Sequence, residues 1–383
     1  MKVVFLSNYL THHQVPFCEA MCGLVGEDNF RFISTIPMEQ ERLNMGWQLG
    51  NDAAYEIKAY AGEQERVCTL IADADIVIAG AVSEMWWKRA VQAKGVTFLY
   101  NERLFKRGYR QILRPGFLKH RLRYARYAAG RKVYSLCASA YLAGDYALLG
   151  EFKNRCYQWG YFPDLPEIEN AADMISQKDA ISLLWVGRLI DLKHPEYAIE
   201  VAKRLHQDGV PFTLHIVGDG PLREELERSV TDLGLQKQVI FEGSVPYQQV
   251  AQKMQEAAIL LATSDYNEGW GAVINEGMHA GCAVVASRAM GSVPFLIQHG
   301  ENGFSFQNGD TNALYETVKS LLADPSLAER VGKAAHETIA TQWNAAVAAE
   351  RVLQLANNLA TGQDHAPFDT GVCAKAPILK NGD

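Results

Sequence analysis

The chain has 383 residues, of which 48% are hydrophobic and 21% are charged, so it is long enough for two globular domains and has an ordinary globular composition. Its seven cysteines are odd in number and include no C-x-x-C pair, which disfavours a disulfide framework or a zinc ribbon and favours a reducing cytoplasm. No stretch approaches ~18 consecutive apolar residues, and the opening apolar run is too short for a signal peptide, so we expect no membrane span.

The first half of the chain alternates strand-like apolar runs with stretches of helical spacing. The strand-like runs lie at 2–6, 30–34, 76–79, 96–100 and 133–137. This alternation predicts a parallel, doubly wound sheet. Pro163 and Pro166, followed by a polar stretch, indicate a linker after it.

The second half repeats the same pattern. Strands are predicted at 181–186, 212–217, 239–241, 259–262 and 283–286, and helices at 195–207, 221–233, 247–257, 271–280 and 312–322. We therefore predict an α/β protein with two Rossmann-like domains, 1–165 and 166–345, that face each other across a cleft. The helical pattern from 327 to about 360 is longer than the second domain needs, so we expect 346–360 to pack back on the first domain and 361–383 to form a flexible tail.

The stretch 259–281 is the most informative part of the sequence. A buried strand is followed by a Gly-rich turn that contains Glu268, and then by a helical pattern that contains Glu276. The end of a parallel strand and the start of a helix together favour an anion, and Gly269 and Gly271 on either side of Trp270 allow it to approach closely. The two carboxylates are too far apart to share a proton and suit hydroxyl groups at opposite ends of one extended ligand.

Two earlier strand ends carry further candidate residues for the same edge of the sheet. Gly187 permits a tight exit from its strand, and Arg188 and Lys193 follow as two cations that suit a diphosphate. Gly218 and Gly220 form a G-x-G at the next strand end, but the third glycine of a dinucleotide fingerprint is missing, which argues against NAD. Two surface cations in a loop are the simpler alternative for Arg188 and Lys193.

Together these turns resemble the C-terminal half of the retaining, nucleotide-sugar-dependent GT-B glycosyltransferases of family 4. The resemblance covers about residues 180–345 and rests on Gly187, Arg188, Lys193, Gly218, Gly220, Pro221, the Glu-x7-Glu pair Glu268 and Glu276, Gly291, Asn302 and Gly303. It implies a UDP- or GDP-sugar donor, with UDP favoured, as a co-substrate and no separate cofactor or required metal. Arg188 and Lys193 would bind the phosphates, Glu276 the ribose and Glu268 the sugar, with the amides near Gly269, Trp270 and Gly271 around the diphosphate.

The N-terminal half matches this family much less well. The glycine pair common in the family's first loop is missing, and His12 and His13 stand in that region. They could bind acceptor hydroxyls or donor phosphate, although lone histidines are more often polar loop residues. Glu102, and Arg103 beside it, follow another strand and are further candidates for the acceptor side, the alternative for Glu102 being a surface carboxylate paired with an arginine.

The two halves also differ in charge. Residues 1–165 carry 21 Lys and Arg against 16 Asp and Glu, and the remainder carries 16 against 28. The segment 103–132, which we call the basic segment, has 11 Lys and Arg and no acid, with apolar and aromatic residues between them. Its arginines at 103, 107, 110 and 114 have helical spacing. We expect it to contact an anionic membrane surface or a lipid diphosphate, the alternative being solvated helix faces, and no nucleic-acid module supports an RNA or DNA partner.

The resemblance thus implies a retaining glycosyltransferase that acts on a lipid-linked or polysaccharide acceptor in cell-envelope or exopolysaccharide synthesis. We expect it to be cytoplasmic and peripheral on the inner face of the membrane. A nucleotide-sugar epimerase of the same architecture and a non-catalytic scaffold that binds sugar nucleotides remain alternatives. The sequence does not indicate the sugar, the acceptor or the oligomeric state.

Overall fold

The computed structural model describes residues 1–40, 53–363 and 366–381. Contacts divide the chain into two compact units, the first built on Met1–Asp164 and Trp343–Lys380 and the second on Leu165–Gln342. Among the helices in the described residues, none combines the length and the hydropathy needed to cross a bilayer.

The first unit is a parallel sheet with helices packed on it. Its strands are β1 (Val3–Ser7), β2 (Phe30–Ser34), β3 (Glu56–Lys58), β4 (Ile76–Gly80), β5 (Val96–Asn101), β6 (Val133–Cys137) and β7 (Cys156–Gln158). They lie in the order β3-β2-β1-β4-β5-β6-β7. The strand order reverses between β1 and β4, whose register pairs Val3 with Ile76. In such sheets this reversal is where ligands bind, beyond the carboxyl ends of the strands.

The helices of this unit alternate with its strands, and one more helix comes from the C-terminal part of the chain. They are α1 (Val15–Val25), α2 (Gln64–Asp73), α3 (Glu84–Ala90), α4 (Pro115–Tyr127), α5 (Leu142–Leu149) and, from the end of the chain, α14 (Ala345–Ala360). Helix α14 packs on α1, and it buries one apolar face that includes Val352, Leu355 and Leu359.

The second unit repeats the architecture with six parallel strands. These are β8 (Asp179–Val186), β9 (Thr213–Val217), β10 (Val239–Gly243), β11 (Ala257–Ala262), β12 (Ala283–Ser287) and β13 (Phe304–Phe306), in the order β10-β9-β8-β11-β12-β13. Its helices are α6 (Ala171–Ser176), α7 (Pro195–Gln207), α8 (Arg223–Asp232), α9 (Tyr247–Glu256), α10 (Val273–His279), α11 (Val293–Leu296), α12 (Thr311–Ala323) and α13 (Pro325–Thr341). Here the strand order reverses between β8 and β11.

The two parallel-sheet α/β units predicted from the sequence are confirmed, and the differences lie in short or local elements. Strands β3, β7 and β13 were not predicted, because at three residues each they are too short to show a periodic pattern. The single long helix predicted from 327 is two helices. Asn344 interrupts it and accepts a hydrogen bond from the Val347 amide, which caps α14.

Two further predictions differ from the structure. Part of the expected tail, 371–374, is packed on the first unit: Val372, Cys373 and Ala374 are buried, and the Cys373 amide donates to the carbonyl of Gln158 on the edge strand β7. An edge strand has free hydrogen-bonding groups, which this segment satisfies. The expected helix over 103–114 is wrong, because only a short 3-10 turn at Tyr109–Leu113 precedes α4. Gly108 has a φ of 90°, which an α-helix does not permit.

Candidate active site

Arg188, Lys193 and Glu268 lie on two loops that leave neighbouring strands at the point where the strand order of the second unit reverses. The first loop follows β8 and the second follows β11, and the two strands pair in parallel register. Backbone and side-chain hydrogen bonds join the loops. The Asp265 amide donates to the Leu192 carbonyl at 2.9 Å, and the Thr263 hydroxyl donates to the Lys193 carbonyl at 2.6 Å. The fold thus holds both loops side by side at the edge where the sequence predicted a ligand.

The predicted G-x-G turn lies directly against the first loop. Gly218 has a φ of 134°, and a Cβ there would stand 1.8 Å from the carbonyl oxygen of Gly187. A Cβ on Gly220 would stand 2.4 Å from the Leu189 carbonyl oxygen. Only glycine allows these backbones to approach so closely. The glycines at 218 and 220 are therefore explained by packing between the two turns.

The charged residues predicted for this site are brought together around Lys193. Its ammonium forms an ion pair with Glu268, and both side chains are 17% exposed. Burial raises the pKa of Glu276 on α10, and the Lys193 ammonium opposes that rise. Arg188 is exposed, and no ion pair joins it to another residue in the described part of the chain. One loop therefore supplies two cations, one paired and one available to a ligand.

Glu276 is the most strongly perturbed carboxyl group of this site. It lies on α10 and is partly buried, and burial raises its pKa to about 7, against the opposing effect of Lys193. Perturbed carboxyl groups of this kind cluster at functional sites. At neutral pH Glu276 is divided between its protonated and ionised forms.

The turn before α10 combines close packing with a buried indole. Gly271 has a φ of 87°, and a Cβ there would stand 2.4 Å from the Met290 Cε. Gly269 is buried. The Trp270 side chain is fully buried, and its indole N–H donates to the Asn275 Oδ1 at 2.8 Å. The buried ring therefore anchors the turn through Asn275.

Sequence reasoning missed two residues that join the same loops, His194 and Asp265. The His194 Nε2 lies 3.6 Å from the Asp265 Oδ2, and its Nδ1 lies 2.6 Å from the Glu196 Oε1. Asp265 also accepts a hydrogen bond from the Asn267 amide at 2.8 Å. The only available signal was their position, since each follows a strand and His194 precedes the helix-starting Pro195.

In the first unit, His13 and Glu102 line a pocket of about 390 Å³ at the carboxyl ends of β1, β4 and β5. The other lining residues are Ser7, Asn8, Tyr9, Thr11, Gln14, Gly80, Ala81, Tyr100, Asn101 and Tyr161. Glu102 accepts a hydrogen bond from the Tyr161 hydroxyl and forms an ion pair with Lys106. Tyr161 lies two residues before Pro163 and was not predicted as a pocket residue.

The two histidines of this region are held in their neutral forms. Their ring centroids lie 3.9 Å apart. Burial lowers the pKa of His12. Burial, and to a smaller extent the charge of His12, lowers the pKa of His13 to about 3. A neutral imidazole can both donate and accept hydrogen bonds, which suits hydroxyl groups better than phosphate.

Arg103 does not belong to this pocket. It is 3% exposed and donates to the Asp145 Oδ1 at 3.2 Å, and Asp145 is itself fully buried. The Asp145 Oδ2 accepts from the amides of Leu104 and Phe105 at 2.7 and 3.1 Å. The prediction of Arg103 as an acceptor-side residue is therefore wrong, because its guanidinium is buried and pairs with Asp145 inside the unit.

Comparison with known proteins places this site in a recognised segment. Residues 168–338 match the model of the family described as glycosyl transferases group 1. The lipopolysaccharide core biosynthesis glycosyltransferase LpsE of Rhizobium meliloti (strain 1021) is 31% identical over 184 residues, which cover 48% of this chain and 52% of LpsE. The sulfoquinovosyl transferase SQD2 of Arabidopsis thaliana is 32% identical over 168 residues, 43% of this chain and 31% of SQD2. The match thus spans about half, or less, of these curated relatives.

Solved structures extend the likeness to nearly the whole chain. Anabaena HepE, solved in complex with UDP, superposes with a TM-score of 0.68 at 16% identity and covers 94% of this chain and 100% of HepE. The lipopolysaccharide outer core galactosyltransferase WaaB superposes with a TM-score of 0.65 at 17% identity over 94% of this chain and 99% of WaaB. The chain therefore has the GT-B fold, and its residues 168–338 match the group 1 glycosyl transferases.

Proposed function

We propose that the protein is a retaining glycosyltransferase that moves a sugar from a UDP- or GDP-sugar, UDP being preferred, to a lipid-linked or polysaccharide acceptor in cell-envelope or exopolysaccharide synthesis. The observation that carries this proposal is the grouping of Lys193, Glu268 and Glu276 inside the segment matched by the group 1 model. The solved structures of HepE in complex with UDP and with UDP-glucose support the choice of donor. The lipopolysaccharide role of LpsE supports the acceptor class.

Each donor group has a matching side chain in the second unit. Arg188 is exposed and binds the diphosphate, and Lys193 has three N–H donors, of which its pairing with Glu268 leaves others for phosphate oxygens. Glu268 accepts hydrogen bonds from the hydroxyls of the transferred sugar. Glu276, ionised on binding, accepts them from the ribose. The two cations stabilise the charge that grows on the leaving diphosphate, so no metal is required.

The acceptor occupies the pocket of the first unit. Neutral His13, Glu102 and the hydroxyl of Tyr161 line it, so it offers both donors and acceptors to a hydroxyl-bearing molecule. The acceptor hydroxyl attacks the anomeric carbon as the bond to the diphosphate breaks, and its proton passes to the leaving phosphate oxygen. This front-face route needs no separate general base.

Helix α4 of the basic segment places the protein on a membrane surface. None of its residues is buried, and Leu118 and Leu122 are each 61% exposed, four residues apart on one helical face. Leu113, just before the helix, is 85% exposed. Apolar side chains among basic ones suit the interface of an anionic bilayer. The proposed location is the cytoplasmic face of the membrane.

Nucleotide release from a panel of UDP- and GDP-sugars, with membrane lipid extract as acceptor, tests the enzymatic proposal. We expect release that depends on the acceptor and is lost in Glu268→Ala and Glu276→Ala but kept in the control Glu224→Ala, an exposed residue on α8. Conversion of the donor without acceptor would favour the epimerase alternative, and binding without turnover would favour the scaffold. Full activity in both site variants would contradict the proposal.

Cosedimentation with vesicles tests the membrane proposal separately. We expect the protein to bind vesicles that contain an anionic lipid and to lose that binding in the double variant Leu118→Ser and Leu122→Ser. The double variant Leu24→Ser and Leu148→Ser, at exposed leucines outside the basic segment, is the control. Equal binding of both double variants would contradict a role of α4.

A further inference from the structure

His194 adopts a backbone conformation that its side chain does not favour. Its φ and ψ are 47° and 52°, the left-handed region, which disfavours a residue with a Cβ and which glycine adopts readily. Strained residues of this kind persist where the surrounding structure holds them and are frequent at functional sites. A glycine would satisfy the backbone, so the imidazole must supply something that glycine cannot.

What the imidazole supplies is a bridge between carboxylates on different elements. Its Nδ1 lies 2.6 Å from Glu196 on α7, its Nε2 lies 3.6 Å from Asp265 on the loop after β11, and its ring stacks on Tyr197 with centroids 4.7 Å apart. Asp265 and then Glu196 raise the pKa of His194 to about 9, because both favour the doubly protonated ring. At neutral pH the ring is therefore an imidazolium that donates a hydrogen bond to Glu196 and forms an ion pair with Asp265.

The bridged carboxylate shapes the turn that carries Glu268. Asp265 accepts from the amide and side chain of Asn267 at 2.8 to 3.0 Å, and its carbonyl accepts from the Glu268 amide at 3.1 Å. Lys193, the residue before His194, pairs with the Glu268 side chain itself. Two consecutive cations of one loop therefore hold two acidic residues of the other.

We propose that His194, in its protonated form, is a positioning residue that fixes Lys193 and Glu268 in the geometry needed to bind the donor. The role in donor binding depends on the function proposed above, whereas the joining of the two loops does not. His194 acts through Asp265 and Glu196 and makes no contact with the donor. Loss of its proton or its side chain leaves the turn from Asp265 to Glu268 less constrained.

Hydrogen exchange tests the joining of the loops without any ligand. In the full chain, His194→Gly keeps the left-handed backbone and removes the bridge, so we expect faster exchange of the amides of Asp265 and Glu268. Asn154→Gly is the matched control, because Asn154 has a φ of 58° in the other unit. It should gain the same backbone freedom and leave these amides unchanged. Unchanged exchange in His194→Gly would overturn the proposal.

Binding of UDP, measured by calorimetry, tests the consequence for the donor. We expect His194→Gly to weaken UDP binding about tenfold at pH 7, the effect of one charge-assisted hydrogen bond, while its thermal midpoint stays near that of the parent chain. Uridine itself titrates at alkaline pH, so the readout is the affinity of the parent chain for UDP divided by that of His194→Gly at the same pH. That ratio should fall towards one as the pH rises through about 9. His194→Asn, which tolerates the backbone and keeps a donor, should recover part of the affinity.

The outcomes separate the two proposals. If the parent chain binds neither UDP nor GDP, the donor proposal fails, and the exchange experiment still decides whether His194 joins the loops. If the parent chain binds UDP and His194→Gly binds it equally well at every pH, the positioning role is overturned and the donor proposal survives. A ratio that does not change between pH 7 and pH 10 would overturn the requirement for the protonated ring.

Discussion

Glu276 should make the protein less stable at high pH than it would be with a neutral side chain there. Its pKa is raised to about 7 by burial, from an ordinary value of 4.5. A carboxyl group whose pKa is raised in the folded state binds more protons there than in the unfolded chain between these two values. The free energy of unfolding therefore falls as the pH rises from about 4.5 to about 7, and the whole loss is present above pH 7.

The size of this loss follows from the difference between the two pKa values. Each unit corresponds to 1.36 kcal/mol, so a shift from 4.5 to about 7 corresponds to about 3 kcal/mol. Glu276→Gln keeps the shape and removes the ionisation. We therefore expect it to raise the free energy of unfolding by about 3 kcal/mol more at pH 8 than at pH 4.5, where both side chains are neutral.

Urea unfolding followed by far-UV circular dichroism at the two pH values measures this difference. Glu242→Gln is the control with the opposite sign, because Lys253 and His215 lower the pKa of Glu242. Glu242→Gln should lower the free energy of unfolding more at pH 8 than at pH 4.5. If Glu276→Gln changes stability equally at both pH values, the burial of an ionisable carboxyl at this position is wrong. The proposed ribose contact predicts that this stabilised variant binds UDP more weakly, a trade of function for stability.

Three further substitutions have expected outcomes in urea unfolding or UDP calorimetry. Gly218→Ala should lower the free energy of unfolding by about 3 kcal/mol, because its Cβ would stand 1.8 Å from a carbonyl oxygen. The control Gly234→Ala, at a φ of 71° with open space around it, should lower it by about 1 kcal/mol. Equal losses would contradict the close approach at Gly218. Asp145→Asn should cost about 3–5 kcal/mol because it leaves Arg103 charged and fully buried, and a change below 1 kcal/mol would refute that pair. Arg188→Gln should change stability by less than about 0.5 kcal/mol and weaken UDP binding about tenfold or more, and unchanged affinity would remove Arg188 from the phosphate site.

The parts of the fold that were predictable from the sequence are those where one chemical pattern decides the structure. Strands β2 and β6 have the predicted bounds, because a short, largely apolar run favours a strand of a parallel sheet that is covered on both faces. Helix α7 also has its predicted bounds, because Pro195 starts it and one amphipathic face runs through it. The three-residue edge strands β3, β7 and β13 depend on pairing with distant residues, which no local pattern records.

The candidate site was predictable in its members and unpredictable in its pairings. Lys193 and Glu268 were both identified from their places at strand ends, but their ion pair joins residues 75 apart in sequence. Arg103 was misplaced for the converse reason. A run of basic residues without a local acid looks solvated, and its partner Asp145 lies 42 residues further along the chain. Spacing therefore indicated where charges gather, and the tertiary fold decided which of them are neutralised.

The uneven distribution of charge becomes intelligible once local and overall charge are separated. The acidic half of the chain carries the proposed site for an anionic diphosphate, which its net charge alone would disfavour. At physiological salt, however, exposed charges act over about 8 Å, so a ligand at the loop after β8 responds to Arg188 and Lys193 more than to distant carboxylates. The surplus positive charge of the other half lies in the basic segment beside exposed leucines, an arrangement that suits the proposed contact with an extended anionic surface better than a small ligand. Under the proposed function, the two halves divide the work by length scale: Arg188 and Lys193 select the small donor, and the exposed basic and apolar residues of α4 select the membrane that holds the acceptor.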